Sequence, residues 1–97
     1  MLDKMKQLME LKRQAEALKR ELDAAYMVVS EVPGIKIVIN GSQNFISLDI
    51  DDALLTMENK NRIKSDLLRS LNDAIKKSQS LAAQKMKAIT GMNLPGL

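Results

Sequence analysis

Apolar positions in the first quarter of the chain recur at helical spacing. Leu8, Leu11, Ala15, Leu18, Leu22 and Ala25 are separated by steps of 3, 4, 3, 4 and 3, the stripe of a heptad-type amphipathic helix. No Pro, Gly or β-branched residue interrupts residues 2–25, and Lys, Glu, Gln, Leu and Ala are good helix formers. A helix over 2–25 is a rod of about 36 Å. The pattern then changes. Met27-Val28-Val29 and Ile35-Lys36-Ile37-Val38-Ile39 are rich in β-branched residues, and Val32-Pro33-Gly34 between them is a turn signal. Asn40-Gly41 is a hairpin signal leading into Phe45-Ile46-Ser47-Leu48-Asp49-Ile50. Ile35, Ile37 and Ile39 alternate with Lys36, Val38 and Asn40, and Ile46, Leu48 and Ile50 alternate with Ser47 and Asp49. Three short antiparallel strands are predicted over 26–50, with one face better suited to burial.

Asp51-Asp52 suits a helix start, because a carboxylate accepts the orphan N–H groups there. Ala53 to Met57 reads as a short helical turn or loop. From Glu58 to Thr90 a long helical pattern follows, with Lys64, Leu67, Leu71, Ala74, Ser78 and Leu81 on one stripe. Ile63, Leu68, Ile75, Ala82, Met86 and Ile89 widen it, and Gly91 stops it before a tail over 91–97. The expected fold class is α+β, in a single domain of residues 1–97: helix 1–25, sheet 26–50, helix 58–90 and tail.

Length adds an expectation about assembly. A compact domain of 97 residues has a radius of gyration near 13 Å, hence a diameter of about 33 Å. A helix over 58–90 is about 50 Å long and must project beyond it. Its projecting part still carries Leu81, Ala82, Met86 and Ile89, and three strands leave open edges. A homodimer resolves both problems.

Composition narrows the chemistry. The 97 residues contain no Cys and no His. That removes thiol nucleophiles, thiolate zinc sites, disulfides, the commonest catalytic base and His-dependent serine triads. Tyr26 and Phe45 are the only aromatic residues, so rows of stacking rings are excluded. The first twenty residues carry charges throughout and lack the apolar core of a signal peptide. The expected protein is not an enzyme. No catalytic residue, metal, cofactor, small-molecule substrate or membrane partner is expected, and its place is the cytoplasm.

Net charge is +3, unevenly spread. Residues 1–23 hold six bases and five acids, residues 24–57 one base and four acids, and residues 58–97 eight bases and three acids. The middle repels a polyanion; the helices attract one. Lys6, Arg13 and Arg20 are spaced by seven, as are Arg62, Arg69 and Lys76, so each set lies along one helix face. Lys12, Lys19 and Lys77 flank them, and Lys85 and Lys87 extend the second set. Cations along a rod neutralise several phosphates of a duplex at once and release counterions. The ordinary alternative is a solvated face in which Glu16 pairs with neighbouring bases.

Two other groupings have plainer explanations. Asp49, Asp51 and Asp52 lack the Gly and Glu of a calcium loop and fit a helix cap with a solvated edge. Met1, Met5 and Met9 lie on one face of the first helix and suit gap-filling at a dimer seam more than a peptide groove.

Val38-Ile39-Asn40-Gly41, then Leu48-Asp49-Ile50-Asp51 with Ala53-Leu54-Leu55, then Leu71-Asn72-Asp73-Ala74 with Lys76-Lys77, and the ending Ile89-Thr90-Gly91-Met92-Asn93-Leu94-Pro95-Gly96-Leu97 together resemble the YbaB/EbfC family. The resemblance covers essentially the whole chain, in the family's order. It implies a bacterial nucleoid-associated protein, a tweezer-like homodimer that binds DNA. The family's glycine-rich stretch before the second strand is only partly kept, as Ser30-Glu31-Val32-Pro33-Gly34. The expected function is binding of double-stranded DNA through Lys12, Arg13, Lys19, Arg20, Arg62, Arg69, Lys76, Lys77, Lys85 and Lys87. Contacts would run mainly to the DNA backbone, with modest sequence preference. The competing class is a non-enzymatic interaction scaffold whose projecting helices grip another protein.

Overall fold

The computed structural model describes residues 2–90; the expected tail lies outside the described residues. Helix α1 spans Leu2–Ala24, strands β1, β2 and β3 span Tyr26–Val29, Ile35–Asn40 and Phe45–Ile50, and helix α2 spans Lys60–Thr90. A single 3-10 turn at Asp52–Leu54 separates β3 from α2. The fold is α+β, with an antiparallel sheet in the order β1-β2-β3.

The alternation on β2 decides where the core lies. Ile35, Ile37 and Ile39 point to one face and are buried, joined by Val29, Val32 and Ala74. Leu67, Leu71 and Ile75 pack against them from α2, while Met27 and Ile50 do so from the flanking strands. The stripe through Leu67, Leu71, Ala74 and Ser78 therefore seats α2 on the sheet. Leu68 does not join it: it lies on the solvent side, 63% exposed.

Cover over the sheet is lopsided. α2 packs chiefly on β2 and β1, and much less, if at all, on β3. Leu48 pairs with Ile37 and thus lies on the core face, yet it stays half exposed, as do Phe45 and Ile46. The ladder also slips between Val38 and Ile39: Ser47 faces Val38 and Phe45 faces Ile39, so Ile46 is the bulged residue.

Two connections differ in detail from what the residue types suggest. Asn40-Gly41 does mark the β2–β3 hairpin, but the loop is four residues long and the positive φ falls on Gln43. Gly41 is needed for packing instead. A Cβ there would lie 2.9 Å from Leu22 Cδ2 and 3.1 Å from the Leu22 carbonyl oxygen. Asp51 precedes the 3-10 turn without a side-chain capping bond; its backbone carbonyl accepts from Leu54 N instead. Asn59 leads into α2, its carbonyl accepting from Ile63 N at 2.8 Å and its amide reaching the Leu54 carbonyl.

The molecule is long. Its radius of gyration is 18.4 Å and its extents are 67 × 23 × 16 Å, well beyond the roughly 13 Å of a compact domain this size. α1 buries no residue at all. It is held near its carboxyl end, and Leu2, Met5, Leu8, Met9 and Leu11 are all more than 60% exposed.

Candidate nucleic-acid interface

The cations expected to meet DNA fall into two groups once their partners are known. Four are engaged by acids. Arg13 binds Glu10 one turn earlier on α1, and Arg62 lies 3.4 Å from Asp66 on α2. Lys77 donates to Glu31 in the β1–β2 connection. Lys85 Nζ donates to Glu21 Oε1 at 2.7 Å, tying α2 to α1. Lys12, Lys19, Arg20, Arg69, Lys76 and Lys87 are exposed and make no ion pair among the described residues.

The Lys85–Glu21 bond fixes the antiparallel register of the helices. It sets Lys19 and Arg20, within one turn of Glu21, level with Lys85 and Lys87. Lys76 and Lys77 lie nearer the sheet, and Arg69 and Arg62 continue the row toward the start of α2. Lys12 and Arg13 stand farther out on α1, where a shallow groove is lined by Lys6, Met9, Glu10, Lys12, Arg13 and Glu16. Glu16 makes no ion pair among the described residues, so the expected pairing with its neighbours is replaced by Glu10 acting on Arg13.

Glu31 shows how local the compensation is. Its carboxyl is held below the ordinary range chiefly by the hydrogen bond from Lys77, then by that lysine's charge, with smaller help from Arg69. Glu10 is lowered in the same way by the Arg13 guanidinium, whose own pKa is raised in return. These acids sit at the surface, so the pairs are weak and open to competition by a polyanion.

Nothing in the sequence pattern announces Glu21 or Glu31 as partners. They lie 64 and 46 residues from the lysines they bind. Also unannounced is the cluster at the root of α1. Asn40 and Ser78 are buried, and every buried side-chain polar atom among the described residues has a partner. Asp49, Asp51 and Asp52 do not form a cation site: no cluster of three or more metal-ligating side chains occurs among the described residues. None of the described helices is long and apolar enough to cross a membrane.

Comparison with known proteins agrees with this architecture. Residues 1–93 match the family model of the YbaB/EbfC DNA-binding family. A nucleoid-associated protein of Syntrophobacter fumaroxidans is 30% identical over 95 residues, covering 96% of this chain and 86% of its own. One from Moorella thermoacetica is 31% identical over 94 residues, covering 95% and 90%. The crystal structure of an uncharacterized protein from Helicobacter pylori shares the fold with a TM-score of 0.68 at 24% identity, over 88% of this chain and 98% of that one. The match runs across nearly the full length, on a fold with two long charged helices, and shows the family: the chain belongs to the YbaB/EbfC DNA-binding family.

Proposed function

We propose that the protein is a homodimer that binds double-stranded DNA through the cationic faces of α1 and α2, contacting mainly phosphates. The observation that carries this reading is the set of exposed cations along a 67 Å molecule that make no ion pair among the described residues: Lys12, Lys19 and Arg20 on α1, and Arg69, Lys76 and Lys87 on α2. Residues seven apart, such as Lys12 and Lys19 or Arg69 and Lys76, stand about 10 Å apart along the helix axis, a spacing from which several phosphates are reached at once. Lys77, Lys85, Arg13 and Arg62 join when phosphate displaces their carboxylates. Contacts to phosphates carry no sequence information, so duplexes of unrelated sequence bind alike.

The second copy covers β3. Phe45, Ile46 and Leu48 continue the core face yet stay half exposed, and Leu55 and Leu68 are exposed as well. Exposed apolar side chains gathered on one sheet face mark an interaction surface. Sedimentation at micromolar concentration should give twice 10.8 kDa, and Leu48→Lys should shift it to the monomer. A stable wild-type monomer refutes the dimer.

The deciding experiment is salt-titrated binding to two unrelated duplexes, with Arg69→Gln/Lys76→Gln as the variant. Neither residue makes an ion pair among the described residues, and Glu31, on which Arg69 acts at longer range, keeps its bond to Lys77. Affinity should fall steeply with salt, by about 0.9 in logarithmic slope for each phosphate neutralised, and the variant should flatten that slope. A slope near zero, or one the variant leaves alone, overturns the proposal. The exposed Leu and Met side chains at the start of α1 favour one other reading, a scaffold that grips a protein; absence of DNA binding by an intact wild-type dimer selects it.

A further inference from the structure

Several hydrogen bonds converge at the root of α1, and one side chain is at their centre. Asn40 ends β2 and is only 5% exposed. Its Nδ2 donates to the Asp23 carbonyl oxygen in the last turn of α1, at 3.3 Å. Its Oδ1 accepts from Ser42 N at 3.0 Å and Asn44 N at 2.9 Å, shaping the hairpin loop. Its backbone oxygen accepts from Ser78 Oγ at 2.7 Å, and Ser78 is wholly buried in α2. Next along the chain, Gly41 N donates to the Leu22 and Ala25 carbonyls at 2.9 and 3.0 Å. Ser42 Oγ donates to the Asp23 carboxylate. α1, the hairpin and α2 meet at this one point.

The bonding answers a local problem first. α1 ends without a C-terminal Gly and without a basic residue in its last turn, so its carbonyls lack the usual partners. The hairpin supplies them from a distant part of the sequence. A helix capped this way cannot turn independently of the sheet that caps it.

We infer that Asn40, backed by Gly41 and Ser78, is the positioning residue that sets the direction in which α1 leaves the sheet, and so the separation at which the α1 and α2 cations meet DNA. The inference rests on the DNA-binding reading above and adds to it the residue that fixes the geometry. No residue of α1 is fully buried; Leu18 and Leu22 are only half-buried, and its ion pair with α2, Lys85–Glu21, lies at the surface, so the bonded root is the firmest hold on its direction. The rod from Asp23 to Leu2 is about 32 Å long, so a change of about 10° at its root moves the tip by about 5–6 Å. Lys12 and Arg13, about half-way along the rod, move by about 3 Å, enough to take a side chain out of hydrogen-bonding distance of a phosphate on a duplex held by α2.

The test uses Asn40→Asp and Asn40→Ala. Asp keeps the acceptor for Ser42 N and Asn44 N, so the hairpin survives, but it loses the donor to Asp23 and sets a carboxylate beside that carbonyl. The chain has no cysteine, so Gln7→Cys and Gln79→Cys accept spin labels cleanly, and labelled protein diluted into unlabelled protein reports one intramolecular distance. In variants that remain folded by circular dichroism, the α1–α2 distance should shift or broaden by several ångströms. DNA affinity should fall, with the salt slope flattened by about 0.9 for each phosphate that α1 no longer reaches. Ser78→Ala and Gly41→Ala provide the same readouts should Asn40 variants not fold. An unchanged distance in a folded Asn40→Asp protein overturns the inference. So does a changed distance with unchanged DNA binding, given that Arg69→Gln/Lys76→Gln weakens it. If the wild type binds no DNA, the functional reading fails, and the distance measurement still decides whether Asn40 directs the rod.

Discussion

Replacing Glu21 by Gln leaves a side chain of the same shape, with an oxygen that still accepts from Lys85 Nζ, but removes the charge that the lysine answers. In the wild type that bond is 2.7 Å long, with side-chain exposures of 27% for Lys85 and 51% for Glu21. A pair so open to water contributes about 0.2–1 kcal/mol. A phosphate that recruits Lys85 must first overcome it. Removing the competitor should therefore tighten DNA binding by a factor of about 1.4 to 5 per protomer, that energy range expressed as a ratio. The assay is fluorescence anisotropy on a labelled duplex at fixed salt, with Glu58→Gln as a control. Glu58 makes no ion pair among the described residues, so the control changes net charge equally without freeing a lysine. Glu21→Gln should bind tighter than the control. Equal affinities would refute the idea that Lys85 faces the duplex, and weaker binding would show that the pair serves chiefly to brace α1 against α2.

Three further outcomes are expected. Ile37, fully buried at the centre of the sheet, should cost about 2–5 kcal/mol on Ile37→Ala, read by urea denaturation; a loss under about 1 kcal/mol would mean that the core collapses around the gap. Gly34→Ala should destabilise sharply in the same assay, because φ is +87° and the new methyl would meet Leu54 Cδ1 at 2.3 Å; a neutral effect would show that the turn readjusts freely. The Glu31–Lys77 pair stabilises the fold only while Glu31 is ionised. Since its carboxyl is lowered from 4.5, that contribution is complete above the ordinary carboxylate value and disappears as pH falls through the lower folded value. The gap in melting temperature between wild type and Glu31→Gln should be open at neutral pH and close on acidification; a constant gap excludes the mechanism.

Much of the fold is legible because its local and global preferences agree. Alternation of Ile35, Ile37 and Ile39 with Lys36, Val38 and Asn40 picks out the central strand, and the spacing of Leu67, Leu71, Ala74 and Ser78 picks out the seat of α2. What the residues conceal is reach. Gly41 looks like a turn glycine, yet it is required by the approach of Leu22 from another element. Leu68 fits a widened apolar stripe but falls on the side that α2 turns to water. The basic stripes are visible as spacing, while the carboxylates that occupy Lys77 and Lys85 arrive only through folding, from positions no local pattern connects.

The slipped register on β3 has a consequence for colloidal behaviour. Phe45–Ile50 is an edge strand of six residues with unused backbone donors and acceptors, the kind of segment that templates endless sheet growth. Ile46 kinks that edge, and Asp49 sets a carboxylate along it. A bend and a charge on an edge strand are features that oppose edge-to-edge sheet growth.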